Sequence, residues 1–527
     1  MDQTSQIVSY LPKIDREKLP TIARITTAVL VVLYAYKKTI ATSQEDEVPK
    51  GLKSVPVAPG RQFLFGHLLT LGKRPILQLQ KWHETIDGPF LKVYFGARQI
   101  IMINDPEVAH EIFVQRGAFT SSRAAHTYAH NIYSTGGRGV AIAKAGKKWK
   151  NSRSLTLDIL APKVVNEFDD VIIEETRMAA DILIRATVTQ GSINPLKTLQ
   201  LATMNIITLT AFGERFPSTD DPMFRILVDF VERTLIYSGV MGDTGAFFPK
   251  LGWIDVISGR RRKLRAFVRE FRDKPLAILI ERARKSKTNC LVKTIDEMKE
   301  KYELDESDLT IILSDLIAAG SDTTAVSLTW AFAILVRYPE TQKKMQQEID
   351  AFVAKECRMP RYQDRDQFSY TVSVQKECMR YRTTTNFGIP HVSTEAFEYR
   401  GYYIPNDSSI ISSMYSMHRN PAVFPDPDKF DPERFISNTK SMYAAANGPL
   451  ENRDHFNFGW GRRLCPGIHL AEVELFNVFI FVFAKCTIEP TFDAQGNPEY
   501  PNIEDVKVGG AVVTPVEYKV RFVPRAF

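Results

Sequence analysis

Cysteine is scarce in this sequence and is never clustered. The 527 residues include five cysteines, with no Cys-x-x-Cys pair among them, at Cys290, Cys357, Cys378, Cys465 and Cys486. Disulfide frameworks and structural zinc sites need paired or closely spaced cysteines. The spacing therefore excludes both and favours a reducing compartment.

Strong charge bias, internal repeats and low-complexity tracts are also missing. The net charge is +7, with 24% charged and 44% hydrophobic residues, which is typical of a globular chain long enough for one large domain or two ordinary ones. So small a charge does not indicate nucleic-acid binding, but it suits an acidic protein partner or an anionic membrane surface. The basic run at residues 260–265 predicts a solvated helix face.

The N-terminal region lacks a hydrophobic run of full membrane-spanning length. The apolar stretch from Thr21 to Tyr36 would form a helix of about 24 Å, whereas the bilayer core is ~30 Å thick. A buried core helix and a signal peptide are alternatives, although no small-residue cleavage site follows. We predict an N-terminal segment at 1–48 with a membrane anchor at about 21–38, a Pro/Gly hinge at 49–60 and a catalytic domain at 61–527.

The most informative stretch of the chain is residues 456–472. Five positions within ten residues are fixed by the pattern Phe458-x-x-Gly461-x-Arg463-x-Cys465-x-Gly467. The glycines allow main chain to approach a bulky planar ligand. A helix predicted from Ile468 to Phe483 would bring its N-terminus near the sulfur and stabilise a thiolate, the axial ligand of iron that favours O–O cleavage. The alternative is a free, buried cysteine in a turn.

This loop resembles the haem-binding loop of the cytochrome P450 family, and three further motifs follow in the family's order. They are Trp149 with Arg153, the stretch Ala319–Thr324, and Glu377 and Arg380 with Arg434. The resemblance extends from the N-terminal anchor to the last turn and implies a mostly α fold with a smaller β-rich region. The sequence agrees, since it predicts a hairpin at 90–103, helices from 106 to about 350 around a loop at 117–139, and strands beyond 386.

The resemblance implies haem b as the cofactor, with Cys465 as the metal ligand. The residues it implies for cofactor binding are Trp149, Arg153, His391, Phe458, Arg463 and Gly467. Trp149 and Arg153 share a helix face, and arginine matches the carboxylate of a haem propionate. A lone Glu-x-x-Arg is most often a surface ion pair. Here the resemblance instead implies a structural cluster of Glu377, Arg380 and Arg434.

The longest helical pattern runs from Leu309 to Tyr338 and is apolar nearly all round, which predicts a central helix. Glycine and threonine weaken it within Ala319–Thr324. One interpretation is a packing kink. The other, which the resemblance favours, is an opened helix turn in which the catalytic residues Thr323 and Asp322 deliver protons.

Residues 383–388 depart from the family pattern, because they read Thr-Thr-Thr-Asn-Phe-Gly where many relatives carry prolines. In the family this segment passes over the haem and lines the substrate pocket, with a turn equivalent to 507–514. The resemblance therefore implies a pocket lined by Ala319, Thr385, Asn386, Phe387 and Val512.

These expectations describe a membrane-anchored haem-thiolate monooxygenase similar to fungal microsomal enzymes. The sequence has no glycine-rich dinucleotide fold or flavin domain, so NADPH is expected to deliver electrons through a separate cytochrome P450 reductase, with cytochrome b5 as a second donor. The implied location is the endoplasmic reticulum membrane, with the catalytic domain in the cytosol and membrane lipid as a partner.

The reaction and substrate leave alternatives open. A steroid or a similarly bulky lipophile is the first choice, and small aromatics or fatty acids are the second. An O2-independent isomerase or dehydratase is a different class, which the presence of Thr323 disfavours. A haem-binding sensor without turnover is a third class.

Overall fold

Helices make up most of the fold. The computed structural model describes residues 47–72, 74–86, 88–238, 244–248 and 252–525. The predicted anchor at 21–38 lies outside the described residues. The α-helices are, in chain order, α1 (Pro75–Glu84), α2 (Pro106–His110), α3 (Lys147–Ile159), α4 (Pro162–Asn166), α5 (Asp169–Gln190), α6 (Leu196–Phe212), α7 (Pro222–Ser238), α8 (Thr244–Phe247), α9 (Ile254–Ile257), α10 (Arg260–Val268), α11 (Lys274–Lys285), α12 (Leu291–Met298), α13 (Glu306–Leu335), α14 (Pro339–Glu356), α15 (Ser369–Tyr381), α16 (Met414–Met417), α17 (Met442–Asn447) and α18 (Ile468–Lys485).

The strands are short and lie mostly towards the C-terminal end of the chain. They are β1 (Lys53–Ser54), β2 (Leu91–Phe95), β3 (Arg98–Ile103), β4 (His391–Val392), β5 (Phe397–Tyr399), β6 (Tyr402–Ile404), β7 (Ser409–Ser412), β8 (Cys486–Glu489), β9 (Thr491–Phe492), β10 (Pro498–Glu499), β11 (Val506–Gly509), β12 (Val512–Pro515) and β13 (Arg521–Pro524). The largest sheet has the order β2-β3-β7-β4. Antiparallel pairing of β2 with β3 confirms the predicted hairpin. The mostly α class with a smaller β-rich region is confirmed.

The central helix α13 is 30 residues long and begins at a capping box. The Asp305 carboxylate accepts from the backbone N–H of Asp308 at 3.0 Å, and the Asp308 carboxylate accepts from that of Asp305 at 3.1 Å, which satisfies two N–H groups that the helix cannot bond internally. Among the described residues, α13 is also the one helix long and apolar enough to cross a membrane, and most of it is buried. It matches the predicted central helix, shifted by three residues towards the N-terminus.

Helix α6 packs closely against α13 at Gly320. A Cβ at this position would lie 2.7 Å from Cδ1 of Ile207 on α6, so a larger residue there would require the Ile207 side chain to move. Helix α18 confirms the predicted run from Ile468 and extends it to Lys485; it packs against α5 and α14. The cysteine loop is therefore attached to the middle of the helical core.

One loop prediction is wrong in part. Residues 117–139 contain a π-helical segment at Thr127–Tyr133. Tyr128 and Tyr133 are both buried in the core, and they are five residues apart, the spacing that a π-helical turn places on one side. The polar and glycine residues around them concealed this pattern.

The described chain forms two compact units. In the smaller one, residues 47–54 and 398–403, Lys53–Ser54 pairs in parallel with Tyr402–Tyr403. The larger unit, residues 55–397 and 404–525, holds the helices and the motifs predicted for the site. The hinge at 49–60 stays a prediction.

Candidate active site

The cysteine loop is held in one conformation by its glycines and by main-chain bonding. The backbone N–H of Cys465 donates to the Phe458 carbonyl at 2.9 Å, and Gly459 and Gly461 have φ of +77° and +50°. A Cβ on Gly461 would collide with the carbonyl of Phe113. These contacts place the sulfur three residues before the start of α18.

Cys465 is partly exposed, and two groups beside its sulfur favour the thiolate form. Burial raises the pKa of the thiol, while the backbone N–H of Gly467 and the charge of Arg153 lower it. Burial is the larger influence, so the loop alone does not stabilise the thiolate as expected. A metal cation deprotonates a coordinating thiol outright, and the donor chemistry therefore fits a metal-bound cysteine.

Three buried or half-buried arginines meet beside the loop. Arg463 donates to the carbonyls of Ser121, Val140 and Ala143 at 2.8, 2.9 and 2.6 Å. Arg153 donates to the Leu464 carbonyl at 2.6 Å.

Arg123 completes this group, which we call the arginine cluster (Arg123, Arg153 and Arg463). It donates to the carbonyls of Ala141, Ile389 and Pro390. Burial lowers the pKa of Arg123 and Arg463, and repulsion within the cluster lowers both further.

The arginine cluster has no acidic partner among the described residues. None of its three members forms an ion pair with a described aspartate or glutamate, although buried charges are normally paired. Three cations with only carbonyl partners make a site for an anion, and the two propionates of haem have the matching charge. The described residues therefore fit haem.

Trp149 and His391 lie beside the arginine cluster, and their predicted contacts with haem stay a prediction. The Trp149 Nε1–H donates to the Val140 carbonyl at 3.3 Å, and the Arg463 guanidinium lies 3.9 Å from the centre of its ring. The His391 Nδ1–H donates to the Thr120 carbonyl at 2.8 Å. Burial lowers the pKa of His391, and Arg123 and Arg463 lower it further. Trp149 thus orients Arg463. Nδ1 of His391 is engaged by Thr120, so Nε2 is the ring nitrogen that could bind a ligand.

One side of α13 is accessible although the helix is otherwise buried. Ala319 is exposed, and Thr323 and Ser327 are partly exposed, at intervals of four residues along one face. The Thr323 hydroxyl donates to the Ala319 carbonyl at 2.6 Å, and the helix is regular through this point. The predicted opened turn is therefore wrong for this structure.

Asp322 is directed at α6 rather than at Thr323. Its carboxylate accepts from Nε2 of Gln200 at 2.9 Å. Burial raises the pKa of this carboxyl, and the Gln200 bond lowers it less. Its protonated form is therefore favoured relative to a free aspartate.

Glu377, Arg380 and Arg434 come together in the buried core. The Glu377 carboxylate accepts hydrogen bonds from Nε and Nη2 of Arg380 at 2.7 and 2.8 Å and from Nε of Arg434 at 3.1 Å. Its Oε1 also accepts from the backbone N–H of Asp431 at 2.9 Å. The remaining arginine donors bind carbonyls of residues 418–429, so the cluster fixes the segment that leads to the cysteine loop.

The residues predicted for the substrate pocket do not form one cluster. Val512 packs with Val326 and Trp330, whereas Phe387 packs against the core under β2 and β3. Thr385 approaches the Met414 sulfur at 3.7 Å, and the Asn386 side chain accepts from the Thr383 hydroxyl.

Two contributors carry no recognisable pattern in the sequence, Thr384 and Arg123. Thr384 joins α13 to β12, because its hydroxyl lies 2.6 Å from that of Ser327 and its carbonyl accepts from the Val513 N–H at 2.8 Å. Arg123 is a lone arginine in a loop with no spacing pattern. Neither carried a local signal.

Comparison with known proteins agrees with this geometry. The family model "Cytochrome P450" matches residues 56–522. Cytochrome P450 monooxygenase 58 of Postia placenta is 26% identical over 95% of this chain and 93% of its own length. Cytochrome P450 monooxygenase verH of Penicillium polonicum is 29% identical over 80% of this chain and 79% of its own length. Human cytochrome P450 2C8 is 27% identical over 90% of this chain and 94% of its own length. A zebrafish cytochrome P450 structure with progesterone shares the fold, with a TM-score of 0.70 and 22% identity over 86% of this chain and 99% of that one. The chain belongs to the cytochrome P450 family and is a haem-binding monooxygenase.

Proposed function

We propose that this enzyme hydroxylates a bulky lipophilic substrate, with a steroid as the first class to test. The observation that carries the proposal is the accessible face of α13, where the small Ala319 lies beside the hydroxyls of Thr323 and Ser327. Small and apolar groups leave room for a large hydrophobic molecule. The hydroxyls provide the proton donors that O2 reduction needs.

Haem bound through Cys465 supplies the reductive activation of O2 and the transfer of one oxygen atom to the substrate. Arg123, Arg153 and Arg463 bind the cofactor's carboxylates and fix its orientation. Phe458 and Gly467 belong to the loop that carries the thiolate.

Proton delivery is assigned to Thr323 and Asp322. The Thr323 hydroxyl donates a hydrogen bond to the Ala319 carbonyl at rest, and a rotation about χ1 would redirect the O–H group to the accessible side. Burial raises the pKa of Asp322, which favours its protonated form relative to a free aspartate and suits a group that renews the proton.

Polar groups interrupt the apolar boundary of the proposed substrate site. Thr385 and Asn386 are partly exposed beside the partly exposed Phe387. A rigid lipophile with few hydroxyl or keto groups matches this combination, because each polar group finds a donor or acceptor while the rest contacts carbon.

An exposed apolar patch supports contact with a membrane surface. Trp253, Ile254, Val256 and Ile257 are exposed, Ile257 by 77%. The basic helix α10 follows at once. Aromatic and aliphatic side chains beside basic ones suit a lipid interface, in agreement with an endoplasmic reticulum location and a membrane-bound NADPH-dependent reductase.

The test is turnover of the purified haem protein with reductase, NADPH and a panel of steroids, fatty acids and small phenols. We expect a saturable blue shift of the Soret band with steroids, and hydroxylated product only when NADPH and O2 are present. Shifts with phenols alone would overturn the steroid assignment. Product formed without NADPH and O2 would overturn the hydroxylase and indicate an isomerase or dehydratase.

A further inference from the structure

Residues 139–143 form a short irregular segment, which we call the strap, beside the central helix. Its first two N–H groups after Gly139 are bound by one carboxylate. The backbone N–H of Val140 donates to Oδ2 of Asp315 at 2.8 Å, and that of Ala141 donates to the same oxygen at 3.3 Å. Asp315 therefore ties the strap to α13.

The carbonyl groups of the strap are bound from the other side by the arginine cluster. Arg463 donates to the carbonyls of Val140 and Ala143 at 2.9 and 2.6 Å. Arg123 donates to the carbonyl of Ala141 at 3.1 Å. The peptide groups of the strap thus direct their N–H groups towards Asp315 and their C=O groups towards the two arginines. Hydrogen bonds that are linked in this way through peptide groups polarise and strengthen one another.

Two further contacts fix Asp315 against the strap. The Tyr133 hydroxyl donates to Oδ1 of Asp315 at 2.8 Å, so both carboxylate oxygens are engaged. Gly139 has φ of +81°, and a Cβ there would lie 2.6 Å from Oδ2 of Asp315 and 2.6 Å from Cγ2 of Ile311. The strap approaches α13 this closely only because residue 139 is glycine.

Asp315 binds the strap and Tyr133 rather than forming an ion pair. No ion pair of Asp315 with a basic residue occurs within the described part of the chain. Burial raises the pKa of its carboxyl, and its hydrogen bonds and the nearby charge of Arg272 lower that pKa less. Asp315 precedes Ala319 and Thr323 on the same face of α13, so the strap joins the substrate side of the helix to the cofactor's carboxylates.

We propose that Asp315 is a positioning residue for haem: acting through the strap, it determines where Arg463 and Arg123 present their guanidinium groups. The inference rests on the proposed role of these arginines in holding the haem carboxylates. Haem affinity and reduction potential would then depend on a residue of the central helix that does not contact the iron ligand.

The variants separate hydrogen bonding from charge. Asp315→Asn keeps an oxygen for the two N–H groups, and its amide can donate to the Tyr133 hydroxyl, so it preserves the contacts and removes the ionisable group. Asp315→Ala removes the contacts. Gly139→Ala adds a Cβ that would push the strap away from Asp315, and it leaves the carboxylate in place.

The experiment measures haem transfer from the holoprotein to a scavenger apoprotein, together with the reduction potential. We expect Asp315→Ala and Gly139→Ala each to weaken haem binding by about 10- to 100-fold, the usual effect of losing a residue behind a ligand, and to shift the potential. Asp315→Asn should stay within about threefold of the wild type. The double variant Asp315→Ala/Gly139→Ala should lose no more haem affinity than the more defective of the two single variants, because both substitutions act on the same contact.

The control is Glu175→Gln, which alters a buried carboxylate on α5 that accepts from Asn205 at 3.0 Å and pairs with Arg215, away from the strap. It should lower thermal stability without accelerating haem transfer. Equal acceleration by Glu175→Gln and Asp315→Ala would refute a positioning role, and so would an Asn variant as defective as the Ala variant.

Arginine variants distinguish the two proposals. If Arg123→Gln and Arg463→Gln both release haem at the wild-type rate, the arginine cluster does not hold the carboxylates. If they accelerate release while Asp315→Ala and Gly139→Ala do not, the cluster stands and the coupling through the strap is refuted. Gly139→Ala also serves where Asp315→Ala fails to fold.

Discussion

Replacing Glu377 with glutamine should destabilise the protein strongly without touching the cofactor. Glu377 is fully buried and binds two guanidinium groups and one backbone N–H. Glutamine keeps the shape but leaves Arg380 and Arg434 as buried cations without an anion. Breaking a buried ion pair on one side costs about 3–5 kcal/mol, a large part of the ~5–15 kcal/mol that stabilises a typical domain.

This free energy converts into a measurable temperature. The unfolding entropy of about 2.1 cal/mol/K per residue gives roughly 1 kcal/mol/K for a body of about 470 residues. Glu377→Gln should therefore lower Tm by about 3–5 °C, measured by circular dichroism on the haem-loaded protein at one fixed scan rate.

A matched control lies close by in the same segment. Glu433 precedes Arg434, and its carboxylate pairs with Lys344 at 2.8 Å with about half of each side chain exposed. Such a surface pair contributes under about 1 kcal/mol, so Glu433→Gln should shift Tm by less than about 1 °C. Equal shifts for the two variants, or a Glu377→Gln protein as stable as the wild type, would refute the reasoning that the buried charge matters.

Three further predictions concern the site and its pH dependence. Cys465→Ala should abolish the thiolate-type spectrum of the reduced carbonyl complex, and its persistence would contradict the ligand assignment. Thr323→Ala should retain haem but divert electrons from product to peroxide, measured as NADPH consumed per product; fully coupled turnover would exclude the proton role. Burial raises the pKa of Glu474 to about 8, against a smaller opposing effect of its Thr324 hydrogen bond. The folded state therefore holds a proton that the unfolded state loses, and stability should fall as pH rises from about 4.5 to 8. Glu474→Gln should remove this loss, so its gain in urea midpoint should be larger at pH 8 than at pH 5; an equal gain at both would contradict the shift.

The sequence predicts the parts of this protein that are specified locally. The loop around Cys465 combines glycines and an arginine within ten residues, and Glu377 and Arg380 lie one helix turn apart. The apolar pattern of α13 likewise needs only its own residues, whereas its capping box lies before the predicted start and was not predicted. In each case the chemistry and the spacing lie within one element, so a single sequence carries the information.

Contacts between distant segments were beyond such reasoning. Arg123 meets Arg463 across 340 positions, and neither flanking sequence marks the encounter. The assignment of Phe387 and Val512 to one substrate pocket stays a prediction, and the two residues belong to different hydrophobic clusters. Thr323 was expected in an opened turn, but its hydroxyl binds the helix's own carbonyl, a local alternative that threonine offers at any buried helix position.

The close contact between Gly320 and Ile207 has a consequence for how the enzyme can change over evolution or in the laboratory. Two neighbouring positions of α13 have different surroundings: Gly320 packs against Ile207 of α6, whereas Ala319 lies on the accessible face. Selection can therefore vary the residue at 319 to admit new molecules at little cost in folding. Position 320 is more constrained, since a side chain there would have to displace Ile207 of α6, the helix that also carries Gln200, the partner of Asp322.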